Sequence, residues 1–236
     1  MALEKKLSKA FVKAMATYRL IEDGDKILVG LSGGKDSLCL LELLAKRSRI
    51  NFPKFCVEAI HIRMENVEYE SDTTYLEDFA EELGVRLHII TTGFSQSDKK
   101  PPCFLCSWNR RKQMFNYAQQ NGFNKIALGH HQDDIIHTAL MNMIFQGHFS
   151  TMPARLKMRK MPLTIIRPLC MIHEDDIIRY ATLSKYKKQN KLCPFEEQTH
   201  RQEIKELYKR IENINPEARY SIWNALDSER KLTEDY

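Results

Sequence analysis

Short apolar segments alternate with longer amphipathic ones as far as Gly147, and this alternation constrains the fold more than any other feature of the chain. The amphipathic segments have helical periodicity, and several of them end at a glycine. The apolar runs have the length of strands buried on both faces, and they are KILVGL, FCVEAIHI, VRLHII and KIALG. Strands that alternate with helices in this way form βαβ units. The sequence therefore predicts an α/β fold, a Rossmann-like parallel sheet with helices on both faces.

The alternation weakens after Gly147. Segment 148–169 holds three prolines and predicts an irregular excursion with one further strand. Helical periodicity returns at residues 173–184 and 199–213, and Pro216 fits the first turn of a last helix. The end of the chain is therefore predicted to be mainly helical.

The simplest division of the chain is into two parts. An N-terminal helix and the Rossmann-like domain are expected over residues 1–172, and a small helical C-terminal part over residues 173–236. With 43% hydrophobic residues the chain can bury a real core. It has no apolar run of membrane-spanning length and no signal-peptide pattern, so we expect a cytoplasmic protein without a membrane partner.

Basic residues are clustered rather than evenly spread. The net charge is only +5, which by itself says little about partners. Local positive patches favour a polyanion, although solvated surface lysines would give a similar pattern. The residues that we consider for phosphate contacts are Arg110, Arg111, Lys112, Arg155 and Arg167.

Segment Ser32–Ser37, SGGKDS, joins the first predicted strand to a helix. Such a turn places several backbone N–H groups and the positive end of the helix around one point, which suits a phosphate chain. Gly33 and Gly34 allow close approach of the backbone, and Lys35 adds a positive charge. Asp36 is unusual in an anion site and indicates a magnesium ion that bridges the phosphates. The spacing is not that of a Walker loop.

A second strand-to-helix turn, GHHQDD, spans Gly129–Asp134. Both turns are expected at the carboxyl edge of the sheet, where open α/β folds bind ligands. His130 and His131 could shuttle protons or bind phosphate. Asp133 and Asp134 could bind magnesium, orient the histidines or cap the helix.

The six cysteines fall into two groups. Three lie in apolar runs and are predicted to be buried, and they are Cys39, Cys56 and Cys170. The other three are Cys103, Cys106 and Cys193, the first two forming a CxxC in what the sequence suggests is a loop. Three thiolates suit a [4Fe–4S] cluster with one free iron, zinc with a fourth ligand such as His200, or persulfide chemistry without a metal.

SGGKDS resembles the PP-loop signature of the N-type ATP pyrophosphatases, and GHHxDD resembles the second signature of the PP-loop enzymes that modify tRNA. With CFLCSWNRRK, KIALGHHQDDIIHTALMNMIFQG, STMPARL and IIRPL, the ordered set is similar to the tRNA 2-thiocytidine biosynthesis (TtcA-like) family. The resemblance implies adenylation of the 2-oxo group of an anticodon-loop cytidine, followed by sulfur transfer from a [4Fe–4S] cluster. ATP, Mg²⁺ and the cluster are the implied cofactors.

The resemblance also implies roles for individual residues. The partners of the protein would be tRNA and a sulfur donor such as a cysteine desulfurase, and the chain could form a homodimer. The implied catalytic residues are Lys35, Asp36, Cys103, Cys106, Cys193, His130, Asp133 and Asp134. The implied ATP-binding residues are Ser32, Gly33, Gly34, Lys35, Asp36, Ser37, Gly129 and His130. Asp36 would hold magnesium and the three cysteines the cluster.

Two departures from the family and two other functions bear on this interpretation. His137 stands where the family usually has Glu or Gln, and Cys193 stands where many relatives have a second CxxC. A lysidine synthetase-like amine ligase would share the PP-loop but would not require the cysteines. A non-catalytic module that binds tRNA and adenine nucleotide is the alternative from a different class.

Overall fold

A seven-stranded sheet lies at the centre of the molecule. The computed structural model describes residues 2–65, 72–93, 102–187 and 200–235, with the backbone alone at residues 102 and 103. The strands are β1 (Lys26–Gly30), β2 (Cys56–Met64), β3 (Leu87–Thr92), β4 (Lys125–Ala127), β5 (Arg155–Lys157), β6 (Thr164–Ile166) and β7 (Thr233–Glu234).

The order of the strands is β3-β2-β1-β4-β6-β5-β7. The first five of these are mutually parallel, whereas β5 runs antiparallel to β6 and parallel to β7. From β1 the chain moves outward through β2 to β3 and then returns to the other side of β1 to form β4. A crevice therefore opens at the carboxyl ends of β1 and β4, where the direction of winding reverses.

Eight α-helices and one π-helical turn are present in the described part of the chain. The helices are α1 (Ala2–Tyr18), α2 (Lys35–Ser48), α3 (Thr73–Glu82), α4 (Pro102–Gln120), α5 (Gln132–Met141), α6 (Glu174–Leu183), α7 (His200–Ile214) and α8 (Ala218–Ser228), and the π-helical turn is Asn142–Gln146. None of the helices in the described ranges is both long enough and apolar enough to span a bilayer.

The predicted fold class is confirmed, and two local predictions are wrong. Segment 148–169 contributes two strands, β5 and β6, rather than one. The CxxC is not in a loop, because α4 begins at Pro102 and includes Cys103 and Cys106 in its first turn. Proline suits the first turn of a helix, where its missing N–H would have no intrahelical partner.

Helices from both ends of the chain pack into the same hydrophobic core as the sheet. Helix α1 contributes buried residues such as Leu7 and Phe11 to this core, and α7 contributes Tyr208. Trp223 of α8 joins it, and β7 extends the sheet beside β5. Elements after residue 172 are thus held to the sheet by burial of apolar surface.

Two of the three cysteines predicted to lie in the core do so. Cys39 and Cys170 are fully buried, and burial raises the pKa of both thiols. The prediction for Cys56 is wrong, because it is the first residue of β2 and is exposed. An apolar run does not reveal which of its residues lies at the solvated end of a strand.

Candidate active site

The Ser32–Ser37 loop links β1 directly to α2. Gly33 has φ +81°, in the left-handed region that disfavours a side chain. Ser37 Oγ donates to the Gly34 carbonyl at 2.9 Å and accepts the Ser32 N–H at 3.2 Å. These two hydrogen bonds join the beginning of the loop to its end. Gly34 is the N-cap of α2 and forms no side-chain cap hydrogen bond, and its own N–H donates to Ser32 Oγ at 3.4 Å. The N–H groups in the first turn of α2 lie at this loop, where they suit an anion.

The second turn lies against this helix end, and Gly129 makes the approach possible. A Cβ at Gly129 would come 3.0 Å from the Asp36 carbonyl carbon and 3.1 Å from the Ser37 nitrogen. These distances are tighter than nine in ten real Cβ contacts, so a side chain at residue 129 would push the backbone of the two turns apart by a few tenths of an ångström. Gly129 thus fixes the distance between the two motifs.

We expect Gly129→Ala to weaken ATP binding by about tenfold or more, because overpacking against backbone costs roughly 1–3 kcal/mol. Isothermal titration with ATP would measure the affinity. Gly30→Ala is the matched control, since its Cβ would meet the side-chain ends of Met114 and Leu128 at 3.2 and 3.3 Å, and backbone only at the ordinary contact distance of 3.9 Å, from the Ala127 carbonyl oxygen. Those ends can move, so the control should bind ATP nearly as the parent protein does. Equal affinity for ATP in Gly129→Ala and the parent would refute this role.

Lys35 lies at the start of α2 between two carboxylates. Its Nζ is 3.1 Å from Asp36 Oδ2 and 3.2 Å from Glu174 Oε1. Burial alone would lower the pKa of Lys35, but Asp36 and then Glu174 outweigh it and raise the pKa. Glu174 also accepts from Lys205 of α7 at 2.7 Å. Lys35 is therefore a permanent cation at the positive end of α2.

Asp36 has one engaged and one orphaned oxygen. Oδ2 accepts from Lys35, whereas Oδ1 is buried without a hydrogen-bond partner among the described residues. His131 Nε2 lies 3.9 Å from Oδ1, beyond hydrogen-bond distance. A buried carboxylate oxygen without a partner is costly, and a hard cation such as Mg²⁺ would satisfy it.

His131 is buried among three carboxylates. Its Nδ1 is 3.6 Å from Asp133 Oδ2, and its Nε2 is 3.4 Å from Asp134 Oδ2. Burial would lower the pKa of His131, but the Asp133, Asp134 and Asp36 carboxylates raise it. His131 thus offsets the negative charge that the second motif brings to the site.

Asp133 connects the second motif to the C-terminal helices. Oδ2 accepts the Glu174 N–H at 2.8 Å, and Oδ1 lies 2.7 Å from Arg219 Nη1 of α8. Burial favours the neutral acid, yet the contacts with His131, Glu174 and Arg219 hold the pKa of Asp133 well below its usual range. With both oxygens engaged, Asp133 holds α6 and α8 against the turn.

Asp134 caps α5. Its Oδ2 accepts the N–H of His131, the N-cap residue, at 3.1 Å. A carboxylate here also suits the positive end of the helix. The capping role that the sequence left open for the aspartates is therefore present at Asp134.

His130 points away from the aspartates, towards Arg167. The Arg167 Nε–H donates to His130 Nδ1 at 3.3 Å, so a neutral ring carries its proton on Nε2. Burial, and then Arg167, lower the pKa of His130 to about 4. His130 is thus neutral at physiological pH.

Arg167 does not fit the prediction that it binds tRNA phosphates. It is 7% exposed, and its Nη1 donates to the Pro153 carbonyl as well as supporting His130. Burial, and then the charge of Arg111, lower the pKa of Arg167 to about 10. Its guanidinium orients a site residue instead of facing solvent.

The remaining basic residues differ in exposure. Arg111 and Lys112 are exposed on α4, and Arg110 is partly exposed. Arg155 on β5 pairs with Asp235 at 2.7 Å. Three of the five predicted phosphate contacts thus cluster on one helix.

The cysteine prediction can be followed only in part. Helix α4 places Cys103 and Cys106 one turn apart, and Cys106 is partly exposed. The side chain of Cys103 and all of Cys193 lie outside the described residues. Within the ranges that are described, no three His, Cys, Asp or Glu side chains converge as metal ligands would.

Three residues of the site have no signal in the sequence. They are Glu174, Lys205 and Arg219, all in the C-terminal region. The tertiary fold brings Glu174 to Lys35 and Arg219 to Asp133, and Lys205 contacts Glu174. Lys35 and Glu174 are 139 positions apart. No local spacing or periodicity could have joined them.

Comparisons with known proteins find similarity to a PP-loop domain family and to tRNA-modifying enzymes. The PP-loop domain family matches residues 2–210. The chain is 35% identical to a tRNA-cytidine(32) 2-sulfurtransferase 1 of Francisella tularensis subsp. novicida, over 96% of this chain and 86% of that protein. It is 36% identical to a tRNA-cytidine(32) 2-sulfurtransferase of Bdellovibrio bacteriovorus, over 95% of this chain and 88% of that protein.

Solved structures agree with the sequence relatives. The U34-tRNA thiolase NcsA from Methanococcus maripaludis, solved with its [4Fe-4S] cluster, superposes with a TM-score of 0.79 at 25% identity. The superposition covers 96% of this chain and 78% of that one. An NMN synthetase from Francisella tularensis, at a TM-score of 0.50 and 16% identity, shares the fold alone.

Proposed function

Because this chain belongs to the PP-loop family and, within it, to the TtcA-like family of tRNA 2-thiocytidine biosynthesis enzymes, we propose that it is an ATP-dependent tRNA sulfurtransferase. Its substrate would be a cytidine of the anticodon loop, whose 2-oxo group is adenylated and then replaced by sulfur. The observation that carries the proposal is the close approach of the second motif, at Gly129, to the glycine-capped N-terminus of α2, where Lys35 also lies.

The phosphates of ATP are the anion that this helix end suits. The N–H groups at the start of α2 would bind phosphate oxygens, and Lys35 would exchange Glu174 for a phosphate. Glu174 keeps a partner when Lys35 leaves, because Lys205 contacts its other oxygen. Asp36 Oδ1 would hold Mg²⁺, which supplies charge neutralisation for the leaving pyrophosphate.

The first reaction step is displacement at the α-phosphorus. The cytosine 2-oxo oxygen forms a bond to the α-phosphorus, and the bond to pyrophosphate breaks. Lys35 and the helix end stabilise the charge that develops on the leaving group. His130 would donate its Nε2–H to a phosphate oxygen, with Arg167 holding the ring in place. In the second step sulfur takes the place of the adenylated oxygen, which leaves with AMP.

The cysteines provide the site for sulfur. Cys103 and Cys106, one turn apart on α4, are spaced to bind one group together, and Cys193 would be the third ligand. A [4Fe–4S] cluster bound there would supply the sulfur that replaces oxygen. A cysteine desulfurase is our proposed source of that sulfur. It delivers the sulfur as a persulfide, which thiols would reduce to sulfide while they become a disulfide. The cytoplasm is our proposed compartment.

Two readouts test the proposal without depending on each other. With tRNA and Mg·ATP the protein should release pyrophosphate, the product of the first step, rather than ADP. Prepared without oxygen, it should hold about four irons and four sulfides per chain. Cys103→Ala should lose the iron, whereas the control Cys56→Ala, at an exposed cysteine of β2, should keep it. Release of ADP would refute the adenylation step, and zinc or no metal would refute the cluster.

A further inference from the structure

Two aromatic side chains of α4 lie outside the hydrophobic core. Phe104 is 47% exposed and Trp108 is 49% exposed, whereas Met114 of the same helix is 8% exposed and packs on the sheet. Phe104 and Trp108 are four residues apart, so they lie on one face of α4. Helix α4 already has a buried face, so these two exposed aromatic rings are not needed for its packing on the sheet. Adjacent exposed aromatic side chains of this kind mark interaction sites.

Cations accompany these rings. Lys112 lies one turn beyond Trp108 on the same face, and its Nζ is 5.0 Å from the centre of the Trp108 ring. Arg111 is exposed beside them. The face formed by Phe104, Trp108, Arg111 and Lys112, called the α4 platform below, therefore combines flat apolar rings with positive charge.

The α4 platform belongs to a helix that packs beside the end of β1, where the first motif begins. Met114 of α4 lies so close to Gly30, the last residue of β1, that its Sδ would be 3.2 Å from a Cβ at that position.

Flat rings flanked by cations suit a single-stranded nucleic acid. Unpaired bases stack on aromatic side chains, and Lys or Arg contacts the phosphates between them. The core of a protein interface is instead depleted of lysine. Because a target base must be unstacked before it can react, its neighbours in the loop lose a stacking partner as well.

We propose that the α4 platform stacks unpaired bases next to the target nucleotide in an RNA loop, with Trp108 as the main stacking residue. The identification of this RNA as tRNA rests on the proposed function. The platform itself requires only an RNA with unpaired bases, and it would act as a positioning surface rather than as part of the chemistry.

The tryptophan content makes a direct experiment available. The chain has two tryptophans, and Trp223 is only 9% exposed, so quenching by a bound base would report on Trp108. An anticodon stem-loop RNA should quench the fluorescence, and a fully paired hairpin of the same length should quench it much less. Trp108→Phe should abolish the quenching but retain most of the affinity, because phenylalanine can still stack.

The affinity of the variants completes the test. Trp108→Ala should bind the stem-loop about fivefold more weakly or worse, since loss of one stacked base costs at least that much. Ile214→Ala removes another exposed apolar side chain, 85% exposed on α7, and should bind as the parent does. Parental affinity of Trp108→Ala, equal quenching by the paired hairpin, or a change of oligomeric state in sedimentation with Trp108→Ala would each overturn the proposal.

Failure of the platform and failure of the proposed function give different results. Binding and quenching are measured without ATP or turnover. Loop-specific quenching by a protein that never thiolates tRNA would preserve the platform and refute the function. If the parent protein thiolates tRNA and its Trp108→Ala variant binds RNA normally, the proposed function stands and the platform is refuted.

Discussion

Lys35→Ala is expected to lower the rate of pyrophosphate release from Mg·ATP and tRNA by at least about a hundredfold. Removing a single preorganised group that stabilises developing charge commonly costs a factor of 10² to 10³. Lys35 is a permanent cation at the N-terminal end of α2, held there by Asp36 and Glu174. The rate would be measured at saturating ATP, so that weaker binding is separated from slower chemistry.

Lys205→Ala is the matched control for this variant. Both lysines pair with Glu174, at 3.2 Å for Lys35 and 2.7 Å for Lys205, but only Lys35 is in α2. Removing Lys205 should therefore change the rate by a few-fold at most. Equal losses in the two variants would show that Glu174 and its charge balance matter rather than a direct contact between Lys35 and phosphate.

Asp133→Ala is expected to destabilise the fold by roughly 1.5–3 kcal/mol, the usual cost of losing a hydrogen bond to a charged group. Arg219 would lose one of its two carboxylate partners and keep Glu212 at 3.0 Å, and the Glu174 N–H would lose its acceptor. Denaturant unfolding would measure the loss. Asp235→Ala is the control, because the Asp235 side chain is 56% exposed where it meets Arg155 and such pairs contribute about 1 kcal/mol or less. Similar losses in both variants would contradict the anchoring role of Asp133.

The same carboxylate gives the stability a pH dependence of known sign. The pKa of Asp133 is lower in the folded protein than in the unfolded chain, so its contribution is present above the ordinary aspartate pKa of about 4 and is lost as the pH falls towards the folded value. The difference in unfolding free energy between the parent and Asp133→Asn should be constant above about pH 5 and should shrink below about pH 4. A difference that grows on acidification would contradict this assignment.

The two turns of the site could be predicted from the sequence because each is a continuous segment with its own local pattern. Ser32–Ser37 and Gly129–Asp134 are each a turn between a strand and a helix, and parallel strands place such turns at one edge of the sheet. Their meeting is seen only in three dimensions, where the Asp36 carbonyl carbon lies 3.0 Å from the position of a Cβ on Gly129.

The other half of the site depends on contacts between distant parts of the chain. Arg219 reaches Asp133 from α8, and Arg167 turns inward to His130 although a basic residue is usually expected at the surface. The extent of α4 was missed for a different reason. Pro102 and the CxxC resemble loop sequence, yet a proline in the first turn is compatible with a helix.

The most direct test is mass spectrometry of nucleosides from tRNA incubated without oxygen with the reconstituted protein, Mg·ATP and sulfide. The account predicts that 2-thiocytidine appears only when ATP is present. It should be absent with Cys103→Ala or Cys106→Ala and present with Cys56→Ala. A cytidine that gains an amine instead, or AMP formation without any sulfur in the tRNA, would contradict the account.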